Sequence, residues 1–540
     1  SERQVRVIAR FVGGGFGPKL MLFFPEETLV PWASMQLGRP VKWIEDRLEN
    51  FLHMPQERGQ LHEAEMALSA DGRILGIKDV FLQDSGAYNP YGMTIPLNTQ
   101  CTLLGPYVVP HYHSEFTSLF TNKTVVCPYR GAGRQPGVFV VERLLDLAAR
   151  ELGLDPAEIR RRNLIQPDQF PWCNEIMYQD FTQLTYDSGN YPAVLELARE
   201  MIGWEEFRRE APARRAAGSL LGIGLVLYVE GSGIGPYEGA RVQVETTGKV
   251  NVVTGIGSQG QGHYTIFAQI AAEALGVSIH DVYVSTGDSG QFNWGTGTFA
   301  SRGAVVAGSA VHSAACSVRE KAVRLASAAL DVPDQRIDLG DGFAYVVGQP
   351  ERRVSLADLA SQANPLRGAV TPGTEPGLES TAYFGPAMGA TSAGAHAMIV
   401  EVDPDTFNVK IQRYVIVHDC GRIINPLIVE GQVHGGLAQG IGNAFFEQLI
   451  YDDQGVPLNT SFLDYLLPLA TDMPPIEVGH LETPSPLNPL GTKGAGEAGA
   501  IPVGPLFAQA LEDALQSARL EITEIPLSAE KLWRLARASQ

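Results

Sequence analysis

The stretch RVQVETTGKVNVVTGIGSQGQGH, Arg241 to His263, decides between two folds. Its first part alternates valine with polar residues on both sides of Thr247-Gly248, the pattern of a hairpin with glycine in the turn. Its second part, Gly255-Ile-Gly257-Ser-Gln-Gly260, satisfies GxGxxG, follows a strand and opens a helix near His263, as a dinucleotide-binding turn does. Asp281 lies about 20 residues further on, the spacing of a ribose-binding acid. Taken that way, the chain is α/β with a parallel sheet. Two features oppose it. The strand before the loop is half of a tight hairpin, whereas a Rossmann unit opens with a parallel strand. Asp281 also falls before the next strand, VYVSTGD, rather than at its C-terminal end. The loop therefore stands open to a nucleotide, to another ligand, or to a turn with no ligand.

The surrounding sequence favours α+β. VRVIARFV, near the start, alternates as a strand and runs into GGGFGPK. A helix follows over about Pro25 to Leu37, ended by Gly38 and Pro40. Residues 62–88 read as antiparallel strands around the Asp71-Gly72 turn. VFVVERLLDLAARELG, 138–153, is a helix closed by Gly153, and Asp155-Pro156 opens another. A further hairpin, AMIVEVDPDTFNVKIQRYVIVHD, turns at Pro404-Asp405. His418-Asp419 are adjacent on a strand and point to opposite faces, so they read as structural rather than as a dyad. The charged segment 205–218, EEFRREAPARRAAG, reads as a linker between residues 1–204 and 219–540.

With 540 residues, about two to four domains with large cores are expected. A net charge of -19 would be repelled by a phosphate backbone, which argues against nucleic acid. No apolar run reaches the ~20 residues of a membrane span, and no signal peptide is visible, so a cytoplasmic location is expected. The five cysteines (Cys101, Cys127, Cys173, Cys316, Cys420) are scattered, with no CxxC. That argues against a zinc or iron–sulfur site of local spacing and against a disulfide scaffold.

Glycine concentrates in loops: GGGFG (13–17), RGAGR (130–134), GIGSQGQG (255–262), GTGT (295–298), GGLAQGIG (435–442) and GTKGAGEAG (491–499). Such loops suit backbone wrapped around a large ligand, because N–H groups grip phosphates and ring edges best where side chains are absent. The last loop holds one carboxylate, Glu497. Alone it reads as a surface turn. In a site it reads as a catalytic base, whose pKa desolvation should raise.

Together and in order, FVGGGFGPK, PYRGAGR, GSQGQGH, GTGTFASRG, NPLIVEGQVHGGLAQGIG and GTKGAGEAG resemble one family over Arg6 to about Ala510. It is the molybdopterin-binding large subunit of the xanthine oxidase / aldehyde oxidoreductase family of molybdenum hydroxylases. The resemblance implies two cofactor-binding domains of mixed antiparallel sheets and helices, with the cofactor at their interface. It implies that Phe16 and Gly17 face the metal, and that Gly260, Gln261 and Gly262 hold the pterin. Phe299, Ala300, Ser301, Arg302 and Gly303 match a second pterin loop, and Gln432 a glutamine contacting the cofactor. Arg130 matches an arginine that orients substrate, and Glu497 the base beside the metal. No residue ligates the molybdenum directly; the pterin dithiolene holds it. Arg134 and Lys493 read as structural ion-pair members rather than substrate contacts.

Leu20 stands where purine-oxidising members carry a substrate-binding glutamate, which argues for a more apolar pocket. Gly131 stands where carbon-monoxide-oxidising members carry a copper-binding cysteine, and Cys127 is four positions too early to replace it. The chain thus resembles the non-CO-oxidising branch of the aerobic carbon monoxide dehydrogenase large-subunit group. Phe170, Trp172, Met177 and Tyr178 would suit an aromatic substrate but read better as ordinary core. Family members carry a long segment before GGGFG. Either it was cut away or a second chain carries it; Ser1-Glu2-Arg3 fits removal of an initiator methionine, which favours a molybdenum subunit split in two.

The expected function is insertion of water-derived oxygen into a C–H bond of a small N-heteroaromatic compound, with Mo-molybdopterin cytosine dinucleotide as cofactor. The resemblance implies partner subunits carrying [2Fe–2S] and FAD. An aldehyde substrate, an NAD-dependent dehydrogenase using residues 255–260, and a non-catalytic scaffold or cofactor-insertion partner are the alternatives.

Overall fold

The computed structural model describes residues 1–20, 24–364, 375–516 and 520–538. Helices and sheets are mixed, with two four-stranded sheets at the centre. In one, the strand Leu220–Ser232 pairs antiparallel with Ala390–Val402, which pairs antiparallel with Val409–Asp419. Ile476–Leu481 adds in parallel at the other edge. Apolar residues at alternate positions of these strands are buried on both faces, because helices cover both. Val503–Ala514 lies on Leu220–Ser232 and Tyr191–Ile202 lies on Ala390–Val402. Gly222 permits the first approach, since a Cβ there would strike the Ala510 carbonyl.

The second sheet runs Glu379–Phe384, Glu238–Val244, Val250–Thr254, Val282–Thr286. The predicted hairpin is present, with Gly248 at φ 84° in its turn. The same strand Val250–Thr254 is also parallel to Val282–Thr286, with the glycine loop and the helix His263–Leu275 as the crossover. A strand–loop–helix–parallel strand unit therefore does exist, contrary to the argument from the hairpin alone. Pairing on both edges lets one strand belong to both patterns.

The other predicted elements are largely in place. Gln60–Leu68 and Ile74–Asp84 are antiparallel around Asp71-Gly72. The helix Pro25–Leu37 ends at Gly38 in the left-handed region, and Arg134–Leu152 ends likewise at Gly153. Asp155 caps Pro156–Asn163 through the N–H groups of Ala157 and Glu158. Two expectations need correction. VRVIARFV is not a strand: it makes one bridge, Ile8 to Asp288, and Val5, Val7 and Phe11 remain exposed, because no strand pairs with it among the described residues. The segment 205–218 is not an irregular linker but mostly the helix Trp204–Ala216. Trp204, Phe207 and Ala211 form its apolar stripe and are buried, so the charged residues lie on the outer side. Its core continues into the strand Leu220–Ser232. A division into 1–204 and 219–540 stays our proposed one.

Candidate active site

A cavity of about 800 Å³ opens between the glycine loops, lined by residues from Val12 to Glu497. That is at the upper end of what small-molecule and cofactor sites occupy. The N-terminal ends of several helices meet it. Arg134 begins one helix, His263 a second and Gly303 a third segment that runs on into Ser309–Leu330. Asn425 caps the fourth, Pro426–Ile441. The helices starting at Arg134 and His263 have no side-chain cap, which leaves first-turn N–H groups for a ligand. Phe16, Ala132, Ala300 and Ser301, all on the cavity wall, are non-glycine residues with φ between 46° and 51°. Strain of this kind persists where the surroundings enforce it and clusters at functional sites.

Glu497 sits at the wall on the loop after Gly491. Its Oε1 accepts from the Gly131 N–H at 2.9 Å and its Oε2 from the Ser301 hydroxyl at 2.7 Å. Arg134 Nη1 lies 3.7 Å from Oε1. Burial alone would raise the pKa of Glu497, as the sequence argument expected. The net direction is the reverse: the Arg134 charge and the hydrogen bonds from Ser301 and Gly131 together outweigh desolvation and hold it below the ordinary carboxylate value. Glu497 is therefore an ionised acceptor. Ala495 and Gly496 beside it leave the backbone uncovered, and Gly494 packs between Ser232 and Ser301, where a Cβ would come within 2.5 Å of either Cβ.

Of the residues singled out in the sequence, Phe16, Gly17, Arg130, Gly260, Gln261, Phe299, Ala300, Ser301, Arg302, Gly303, Gln432 and Glu497 all line this one cavity. Gly262 does not. It precedes the helix His263–Leu275 at φ 87°, and a Cβ there would come within 2.7 Å of Ile428. Gly17 must be glycine because a Cβ would strike the Pro128 carbonyl. Arg130 ties the wall together. Its backbone N–H donates to Phe16 O at 2.7 Å, and its side chain donates to Gly496 O at 2.6 Å, Gln432 O at 2.9 Å and Gln439 Oε1 at 3.0 Å. Gln261 turns its Oε1 back to the Gln259 N–H at 2.7 Å, closing its own loop. Arg302 is buried and held by Glu238 and the carbonyls of Ile234, Pro236 and Gly297. Lys493 is anchored to Ser188 O and Thr483 Oγ1, two neutral acceptors rather than the ion pair expected of it. Leu20 lines the cavity, whereas Phe170, Trp172, Met177 and Tyr178 do not.

Arg134 is the ion-pair member the sequence suggested, whereas Glu57 and Glu230 were not singled out. Arg134 is the cation beside Glu497, and it also donates to Gly131 O, Tyr178 Oη and Gly231 O. Glu57, fully buried, accepts from the N–H groups of Tyr129 and Gly133 and pairs with Arg58, so it shapes the PYRGAGR loop. Glu230, on the strand Leu220–Ser232, lies directly behind Glu497 and Ser301. The structure starts the helix at Arg134, four residues before the start the sequence suggested, and nothing local in the sequence marks Glu57 or Glu230.

The wall suits an extended anionic cofactor. Arg130, Arg134, Arg302, Arg422 and Lys493 line it against Glu497 and Asp180. A Cβ on Gly13 or Gly260, both on the wall, would meet nothing within 4 Å, so space beside the backbone is open there. Helix N-termini and uncovered amides supply anion-binding groups. A ribose acid for a nicotinamide dinucleotide is not in place. Asp281 pairs with Lys249 at 2.5 Å at the start of the two parallel strands, the opposite end from Gly255–Gly260. The acid nearer the loop, Asp288, is engaged by Arg6 at 2.6 Å.

Two family models match the chain, both described as a molybdopterin cofactor-binding domain, over residues 1–164 and 197–474. The chain is 39% identical, over 99% of its own length and 66% of the other's, to the nicotine 6-hydroxylase large subunit of Paenarthrobacter nicotinovorans. It is 34% identical to the carbon monoxide dehydrogenase large chain of Hydrogenophaga pseudoflava, over 99% of this chain and 67% of that one. Among solved structures it superposes on quinoline 2-oxidoreductase from Pseudomonas putida 86 with a TM-score of 0.93 at 39% identity, covering 99% of this chain and 69% of that one. The chain thus spans about two thirds of the length of these relatives.

Proposed function

Because the chain belongs to the xanthine oxidase family of molybdenum hydroxylases, as a molybdopterin-cofactor-binding subunit, we propose that it forms the catalytic site of an enzyme that hydroxylates a small N-heteroaromatic compound with oxygen from water. The observation that carries this reading is Glu497, held by the Gly131 N–H, the Ser301 hydroxyl and the nearby Arg134 guanidinium, on the same cavity wall as Arg130 and the helix N-termini. When bound, the molybdenum cofactor would supply two-electron oxidation and the activation of water. The N-terminal ends of the helices at Arg134, His263 and Pro426, with the Gly13–Gly17 and 255–262 loops, would hold its anionic parts.

This chain's own residues do the rest. Glu497 receives a proton at Oε1 or Oε2. Arg134 and Ser301 keep that carboxylate ionised and fix its direction. Arg130 holds the Glu497 loop against Gln432 and Phe16 and sets a positive charge at the wall, which favours negative charge developing on a substrate nitrogen. Leu20, Phe16 and Val12 give the entrance an apolar character that suits a flat ring and disfavours a purine's polar edge. Two of the relatives, nicotine 6-hydroxylase and quinoline 2-oxidoreductase, are named for N-heteroaromatic compounds. We further assign the pterin as the cytosine dinucleotide, and infer iron–sulfur and FAD subunits as partners in the cytoplasm. No helix among the described residues is long and apolar enough to cross a membrane.

The test is to purify the protein with whatever accompanies it, measure molybdenum and CMP released by acid, and incubate it with N-heteroaromatics and aldehydes in ¹⁸O-water with a dye acceptor. Incorporation of ¹⁸O into a ring carbon supports the assignment. Turnover of aldehydes alone would move the substrate class, and nicotinamide-coupled turnover without molybdenum would overturn the reading.

A further inference from the structure

Behind Glu497 lies a second acid that the proposed function has not used. Glu230 has no exposed surface, and its carboxyl group meets the hydroxyls of Ser301 and Ser392. Ser301 Oγ is 3.1 Å from Glu230 Oε1 and 2.7 Å from Glu497 Oε2. Ser392 Oγ lies 3.4 Å from Glu230 Oε2. Ser301 thus bridges the two carboxyl groups.

Counting hydrogens settles what this arrangement requires. The Ser301 hydroxyl has one hydrogen and two carboxyl oxygens to serve. If both acids were ionised, one of those contacts would set lone pair against lone pair at the buried Glu230. One carboxyl must therefore carry a proton. Glu497 has the Gly131 N–H, the nearer end of the Ser301 hydroxyl and the Arg134 guanidinium at 3.7 Å. Glu230 has no N–H donor among the described residues. The proton belongs on Glu230, from which it can be donated back to Ser301 Oγ. Two carboxylates in one dry site separate in the same way elsewhere, one ionised and one neutral.

We propose that Glu230 is a positioning residue: a neutral carboxylic acid that donates its one proton to Ser301 Oγ, so that the Ser301 hydroxyl is turned to donate to Glu497 and fixes the proton-accepting carboxylate in place. This rests on the reading of Glu497 as the base. The electrostatics agree, since burial and the Glu497 charge push Glu230 well above the ordinary carboxylate value while Glu497 is held below it. The other titratable or charged groups facing the pair are Arg134 from its helix, Arg130 from the preceding loop, Tyr178 behind Arg134, and Tyr228 two residues back on the same strand. The strand places Tyr228, Glu230 and Ser232 on one face, and Ser232 Oγ accepts from the Gly494 N–H at 2.8 Å, so the strand supports the whole base loop.

Two measurements on the cofactor-free protein test this without reference to turnover. A group kept protonated in the folded state but ionised when unfolded lowers stability as pH rises through the neutral range. Glu230→Gln removes that dependence and keeps an N–H donor. The melting temperature of Glu230→Gln minus that of wild type should therefore grow from about pH 5 to about pH 8. In the infrared, wild type at neutral pH should show a protonated carboxyl band that Glu230→Gln lacks. A pH-independent difference in melting temperature, or no such band, overturns the proposal. In the loaded enzyme, Glu230→Leu deletes the donor, so the acid limb of kcat/KM should move up by at least about one pH unit relative to Glu230→Gln. Coincident limbs would show that Glu230 does not position Glu497. Absence of hydroxylase turnover would count against the proposed function, and the two cofactor-free measurements would still decide Glu230.

Discussion

Replacing Arg134 by glutamine is the sharpest perturbation of the site. Arg134 is 1% exposed and Glu497 13%, and they stand 3.7 Å apart. Two unit charges at that separation attract by about 4.5 kcal/mol at an effective dielectric constant near 20. Removing one partner of a buried pair costs about 3–5 kcal/mol, because the other charge is left uncompensated. The loss here falls on an acid whose low pKa depends first on that guanidinium. Glu497 should then hold a proton to higher pH, so the acid limb of kcat/KM moves toward neutrality and turnover at low pH falls most. Arg134→Lys keeps the charge but loses the bonds to Tyr178 and Gly231, so it should recover the limb in part while remaining less stable than wild type. The assay is kcat/KM against pH for the three proteins, with thermal melting alongside. An Arg134→Gln profile within about half a pH unit of wild type would refute the claim that Arg134 sets the charge of Glu497.

Glu497→Gln should abolish turnover while molybdenum and CMP content stay at wild-type levels; surviving activity would mean another group takes the proton. Gly494→Ala introduces a Cβ within 2.5 Å of Ser232 and Ser301, and should cost about 1–3 kcal/mol in denaturant unfolding and lower activity by displacing the base loop. Asp281→Ala breaks only the half-exposed pair with Lys249, so stability should change by less than about 1 kcal/mol and turnover not at all; a loss of nicotinamide-coupled turnover would instead revive the dehydrogenase reading.

Local rules made the elements legible. The Asp71-Gly72 and Gly248 turns, the Gly38 and Gly153 helix ends and the Asp155 cap all read correctly, because each depends on residues a few positions apart. VRVIARFV failed as a strand because a strand needs a neighbour, and alternation says nothing about whether one is present. The linker failed because Trp204, Phe207 and Ala211 are a sparse stripe in a charged run, and only the adjoining strand shows that they have something to bury against.

The sequence by itself determined the family and much of the cavity wall, since the glycine-rich segments occur in a specific order and each is short enough to be recognised locally; GGLAQGIG (435–442) is the exception, lying in the helix Pro426–Ile441 and its continuation and off the cavity wall. The charge state of the site was decided by tertiary structure alone. The sequence argument weighed the desolvation of Glu497 without its partners, and so had the sign of its pKa wrong. Arg134, Ser301 and Glu230 are far apart in the chain, and only folding brings Arg134 and Ser301 to Glu497, and Glu230 to Ser301. Electrostatic interactions depend on distance and burial in space, which a linear sequence does not contain.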